Sequence, residues 1–270
     1  MNEKLDFQSY QLLIERCIPT EESFSVLNGR TLTEESDDSN SINEVTISVD
    51  QNCVWFVGKK GKGYPYSSEV YDRTTKKKER NPRTKNQVEL RNQWFAMYHY
   101  SMGLLFIFGE SKATFQAILR KYLDTDVLIK NVYKSKEEFL DQLLKIKSIR
   151  FVARKDLLTN PTSIFENTVN DLGLGNPEQI KMSVDYSYVD KTVAFTNTVK
   201  HLFSKIESGE LTGLVIVGSH IEDDNTVESV FNIKSLGETI RIFCEKDEQG
   251  MFNVSQVKAS LLEKFSSKDQ

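Results

Sequence analysis

The sequence predicts an α+β fold of two mixed domains, and three observations carry that prediction. Alternating apolar and polar residues mark strands, as at Val45–Val49 and Ile180–Tyr186. Apolar residues at i, i+3, i+4 and i+7 mark helices, as at Phe115, Ile118, Leu119 and Tyr122. The length of 270 residues lies where single cores begin to split. The expected domains are 1–133 and 134–270, the second a mixed sheet covered by helices in the order β-α-β-α-β-β-β-α.

The elements follow in order. Residues 4–16 read as a short amphipathic helix with Leu5, Leu12 and Leu13 inward. The acidic, serine-rich stretch Thr31–Ser41 reads as a mobile loop, because it has little to bury. Val45–Val49 and Cys53–Val57, joined by Asp50-Gln-Asn52, form a hairpin. Gln93–Tyr100 is rich in aromatics, and Gly103–Phe108 is a buried strand. Ser111 opens a helix, and Ser135-Lys-Glu-Glu138 is a capping box for the next one.

The second half continues with a strand at Ile149–Ala153 and a helix begun by Pro161 and the capping box Ser163–Glu166 and ended by Gly173. A strand at Ile180–Tyr186, a helix near 192–207 and a buried strand at Leu214–Val217 come next. Strands at Ser229–Ile233 and Glu238–Cys244, a turn at Asp247–Gly250 and a last helix near 255–265 complete the chain.

Composition narrows the function classes. No apolar run is long enough to span a bilayer, and the start MNEKLDFQSYQ lacks the basic and apolar parts of a signal peptide. Cys17, Cys53 and Cys244 are odd in number and far apart, which argues against a disulfide framework or a CxxC motif. A cytoplasmic protein is expected.

Charge is the most informative feature. Residues 58–91 carry eleven Lys/Arg against four Asp/Glu, a net +7, whereas the remainder has 24 against 35, a net −11. Such an island creates a local positive field. Lys and Arg neutralise phosphates and release counterions. The candidate phosphate contacts are Lys59, Lys60, Lys62, Arg73, Lys76, Lys77, Lys78, Arg80, Arg83 and Lys85, with Tyr64 and Tyr66 as stacking residues and the glycines of Gly58–Gly63 letting backbone amides approach phosphates. The segment is expected to be a long loop or hairpin projecting from a sheet. Its bland reading is a solvated insertion. It matches neither the P-loop nor the Rossmann pattern.

A second candidate is Gly218–Asp224, where His220, Glu222, Asp223 and Asp224 stand ready for a divalent cation after a buried strand; its bland reading is a polar turn. Ser219 beside His220 is a poor nucleophile pair, because adjacent strand side chains face opposite ways. No catalytic residues, metal ligands or cofactor are assigned, and the chain is read as leaning away from an enzyme.

From residue 147 the blocks Ile149–Arg154, Ile164–Leu172, Ile180–Tyr186 and Val230–Lys234 through Ile240–Gly250 resemble the RexA and KwaB family of phage-exclusion proteins. The resemblance implies a DNA-binding component of a bacterial or prophage antiviral system, a homodimer, and a small membrane-protein partner encoded nearby. It supplies no catalytic residues. The expected function is thus sequence-tolerant DNA binding in antiviral defence. A metal-dependent nuclease, or a module binding an acidic partner (its own acidic N-terminal stretch among them), are the alternatives.

Overall fold

The structure is a computed structural model that describes residues 2–36, 41–133, 135–154, 179–208, 211–222, 224–232 and 239–267. In chain order its strands are β1 (Asn2–Ile14), β2 (Thr31–Ser36), β3 (Ser41–Val49), β4 (Cys53–Lys62), β5 (Glu69–Asp72), β6 (Lys77–Arg80) and β7 (Asn92–His99). Then come β8 (Leu104–Phe108), β9 (Val127–Asn131), β10 (Lys145–Arg154), β11 (Gln179–Asp190), β12 (Leu211–Glu222), β13 (Asn225–Asn232) and β14 (Ile240–Glu245). The helices are α1 (Lys112–Leu123), α2 (Lys136–Gln142), α3 (Val193–Glu207) and α4 (Val254–Ser267), with a 3-10 helix at Glu22–Leu27.

Among the described residues three antiparallel sheets form. The largest has eight strands in the order β14-β1-β8-β7-β4-β3-β2, with β9 also paired to β1. The second runs β11-β10-β12-β13, and the third is the lone hairpin β5-β6. About 50% of the described residues are strand and 23% helical. This corrects the α+β expectation: the described residues are mostly β, not a balanced α+β arrangement of helices covering a sheet.

Two misread segments account for much of that correction. Residues 4–16 belong to β1, which pairs with β14, β8 and β9 in turn. Its buried face is Leu5, Phe7, Ser9 and Gln11, a period of two hidden by its polar members. Gln11 is satisfied there, donating to the Asn131 carbonyl at 3.1 Å and accepting from the Val230 amide at 3.0 Å. Thr31–Ser36 is strand β2 rather than a loop; its acids sit on an edge, where charge discourages strand addition.

Strand pairing also crosses the 133/134 boundary, because β14 leaves the C-terminal strands to pair with β1 along Asn2–Phe7. Helix α4 packs on β14 and follows it there. Alternation along β12 ties the sheets together. Val215 and Val217 join the core between the sheets, with Phe106, Leu261 and Phe265. Leu214 and Ile216 face the opposite way, onto Phe139, Val199 and Phe203 of α2 and α3. The far face of the large sheet is closed by α1 and the 3-10 helix through Phe24, Phe115 and Leu119.

Several local readings hold. The β3–β4 hairpin forms, with Val49 opposite Val54. The Ser111 and Ser135 side chains cap α1 and α2, accepting from the Thr114 and Glu138 amides. The helix expected from Pro161 to Gly173 lies outside the described residues. Among the described residues no helix is long and apolar enough to cross a membrane.

Candidate nucleic-acid interface

The basic segment is a β-hairpin arm. Strand β4 runs beyond its partner β7, whose last pairing is Lys60 with Asn92, and the chain then forms β5 and β6 before returning. No residue from Glu69 to Arg80 is buried. At the tip the Asp72 carboxylate accepts the Thr74 amide at 2.7 Å and the Thr75 amide at 3.3 Å. These backbone bonds hold its pKa below the ordinary value. At the base Tyr66 donates its hydroxyl to the Arg83 carbonyl at 2.9 Å, and the Arg83 guanidinium lies 5.6 Å from the Tyr66 ring centre. Asn81 ties the two arms of the chain by donating to the Ser67 carbonyl at 2.8 Å.

The twelve residues singled out from sequence divide into groups. Lys62, Arg73, Lys76, Lys77, Arg80 and Lys85 are exposed and make no ion pair among the described residues. Lys78 reaches Glu69 at 3.7 Å, an exposed pair worth little. Lys59 is half-buried in β4. Lys60 is committed elsewhere: it donates to the Gly109 carbonyl at 3.2 Å and pairs with the buried Glu110 carboxylate at 3.1 Å. Tyr64 is 58% exposed and free to stack. Tyr66 serves the clamp instead. Tyr71, a tyrosine of the same segment not among the assigned stacking residues, is 60% exposed and faces the same side as Lys78.

The structure gathers part of this set. Arg80, Arg83, Lys85 and Tyr66 line one cleft of about 460 Å³ at the base of the arm, and no carboxylate among the described residues lines it. Three cations around a cavity without a counter-charge form a ready anion site.

The glycine reading is corrected. Gly58, Gly61 and Gly63 are buried and face protein, not solvent. A Cβ on Gly61 would lie 2.0 Å from the Glu89 carbonyl oxygen, and one on Gly58 would lie inside the Trp94 ring. These glycines admit close packing, so their amides are not offered to phosphates.

At the second candidate, His220 and Glu222 share one side of β12, with Nε2 3.4 Å from the carboxylate. Glu222 also pairs with Lys130, and among the described residues no group of three potential ligands forms. Asp223 lies outside the described residues. Ser219 is buried and faces away from His220, as alternation requires. Burial, followed by the Lys130 charge, lowers the His220 pKa below 6.5. The folded state therefore favours the neutral ring, a contribution present above the unfolded value and lost as pH falls through the folded one. His220→Gln is expected to flatten the loss of stability between pH 7 and pH 5 in urea titrations.

One cluster escaped sequence reasoning. Glu228 of β13 is only 2% exposed. It accepts Lys147 at 2.6 Å, the Ile18 amide at 2.7 Å and the Tyr188 hydroxyl. Burial, then the bond to Glu228, raises Tyr188 to about 12. Burial is the largest single influence and pulls Lys147 down, but the bond to Glu228, its charge and Tyr188 together outweigh it and leave the amine above its usual value. Positive φ at Ser187 and Tyr188, opposite a register shift in β10, brings the tyrosine hydroxyl to Glu228 while the side chain stays partly exposed. Glu228→Ala is expected to cost about 2–3 kcal/mol by denaturant titration, less than a fully buried pair because Lys147 is partly exposed.

Of the acidic N-terminal stretch, Thr31–Ser36 is held in β2, where Glu34 pairs with Lys121 at 2.8 Å, and residues 37–40 lie outside the described residues. That engages one of the acids which an intramolecular partner for the arm would have offered. Comparison with protein-family models and with curated proteins finds no match.

Proposed function

We propose that this chain binds DNA through its hairpin arm, contacting the sugar–phosphate backbone without reading sequence. The carrying observation is the cleft where Arg80, Arg83 and Lys85 converge beneath the arm, with no carboxylate among the described residues lining it. The unpaired cations of the tip extend that field outward. A two-stranded ribbon is one of the shapes that a major groove admits. The arm from Glu69 to Arg80 has no Asn or Gln to read adenine edges, which favours backbone contact. Exposed Tyr64 and Tyr71 add stacking surfaces for unpaired bases. A place in cytoplasmic antiviral defence, with a dimeric state and a small membrane partner, is supported by the sequence resemblance.

The test is an electrophoretic shift with two unrelated duplexes and a single strand. We expect similar affinity for both duplexes and loss of binding when residues 67–81 are replaced by a short Gly-Ser link. Binding that survives this replacement would move the interface off the arm.

A further inference from the structure

A second cationic cavity lies away from the arm. It has a volume of about 490 Å³ and opens between the second sheet and the end of the large one. That is within the roughly 300–1,000 Å³ of small-molecule sites. Its two sides differ in chemistry. The sheet side presents Arg150 of β10 and Lys181 of β11. The register places Ser183 opposite Arg150 and Lys181 opposite Val152, so both cations emerge on one face. Neither makes an ion pair among the described residues. The opposite side carries an apolar strip, Leu262 and Phe265 of α4 with Met102, beside the uncharged polar residues Asn52 and Ser101.

His99 stands at this wall, its ring 5.2 Å from that of Phe265 and its Nδ1 3.2 Å from the Ser101 hydroxyl. No carboxylate among the described residues lines the cavity. Two cations with no counter-charge among the described residues, facing an apolar strip, ask for one ligand class. An anionic head satisfies the guanidinium fork and the ammonium, and an apolar body displaces water from Leu262 and Phe265.

We propose that this cavity is a binding site for a small amphipathic anion, with a phosphate or carboxylate head on Arg150 and Lys181 and an apolar body against α4. The proposal is independent of DNA binding by the arm.

The full chain is titrated calorimetrically with adenosine 5′-monophosphate and octanoate, which have head and body, and with adenosine and inorganic phosphate, which have one part each. At least one head-plus-body probe should bind saturably, with each part alone at least about tenfold weaker. The preferred probe identifies the head. Arg150→Glu with Lys181→Glu should abolish binding, and Lys76→Glu with Lys77→Glu and Lys78→Glu on the arm should leave it unchanged. If the first pair fails to fold by circular dichroism, Arg150→Gln with Lys181→Gln takes its place, with a loss of at least about tenfold expected. Absence of saturable binding for both head-plus-body probes, equal binding of an isolated part, or binding that persists in the folded cavity variant overturns the proposal.

Discussion

Changing Lys76, Lys77 and Lys78 together to Glu should weaken duplex binding at least about 100-fold at low salt, with the fold intact. Each reversal removes two units, so the segment 58–91 falls from +7 to +1. The three side chains are exposed and belong to no core cluster. Lys78 loses only the exposed pair with Glu69. Lys76 sits at φ 56°, a strain that Glu inherits unchanged. The melting temperature should therefore move by less than about 3 °C. Fluorescence anisotropy with a labelled duplex reads the affinity, and a change below about threefold would show that the tip carries none of the contact.

Gly58→Ala should act through the opposite channel, on stability rather than binding. Gly58 lies in β4 between Val45 and Trp94 on the neighbouring strands. The Trp94 indole covers it so closely that an added Cβ would fall 1.8 Å from Cε2 and 2.0 Å from Nε1. The ring has nowhere to go. It is fully buried, donates Nε1 to the Asn43 side chain at 2.9 Å, and packs edge-on to Phe115 at 5.7 Å. Either the indole leaves its pocket or β4 parts from β7. A loss of about 3 kcal/mol or more is expected, at the upper end for overpacking. Urea denaturation followed by tryptophan fluorescence measures it, and a loss under about 1 kcal/mol would contradict this packing.

These two effects show which parts were legible in the sequence. The arm was, because like charges close in sequence stay close in a hairpin. So were β3, β4 and β8, where apolar period or run matches burial, and the serine caps of α1 and α2, whose chemistry is local. The fold class was not. β1 hides its period behind Ser9 and Gln11, which are buried because other backbones satisfy or surround them. β2 carries acids because it is an edge, and composition alone cannot separate an edge strand from a loop. The transfer of β14 to β1 joins positions more than 230 residues apart, which no local pattern encodes.

The sites divide in the same way. Lys60 and Lys62 look equivalent in sequence, yet Lys60 is spent on the buried Glu110. The glycines flanking them suggested phosphate contact, and their actual neighbours are Trp94 and the Glu89 carbonyl. The Glu228 cluster draws Ile18, Lys147 and Tyr188 from three distant segments. A lone Glu in an apolar strand was the one available signal, since a carboxylate among buried neighbours must find partners.

The most direct test of the central claim is the salt dependence of duplex binding by the unmodified chain. Six cations of the arm region, Lys62, Arg73, Lys76, Lys77, Arg80 and Lys85, are free of ion pairs among the described residues. If all six meet phosphates, log K should fall linearly with log salt at a slope of about −5. A slope shallower than about −1, or no binding at low salt, would contradict an arm that grips the phosphate backbone.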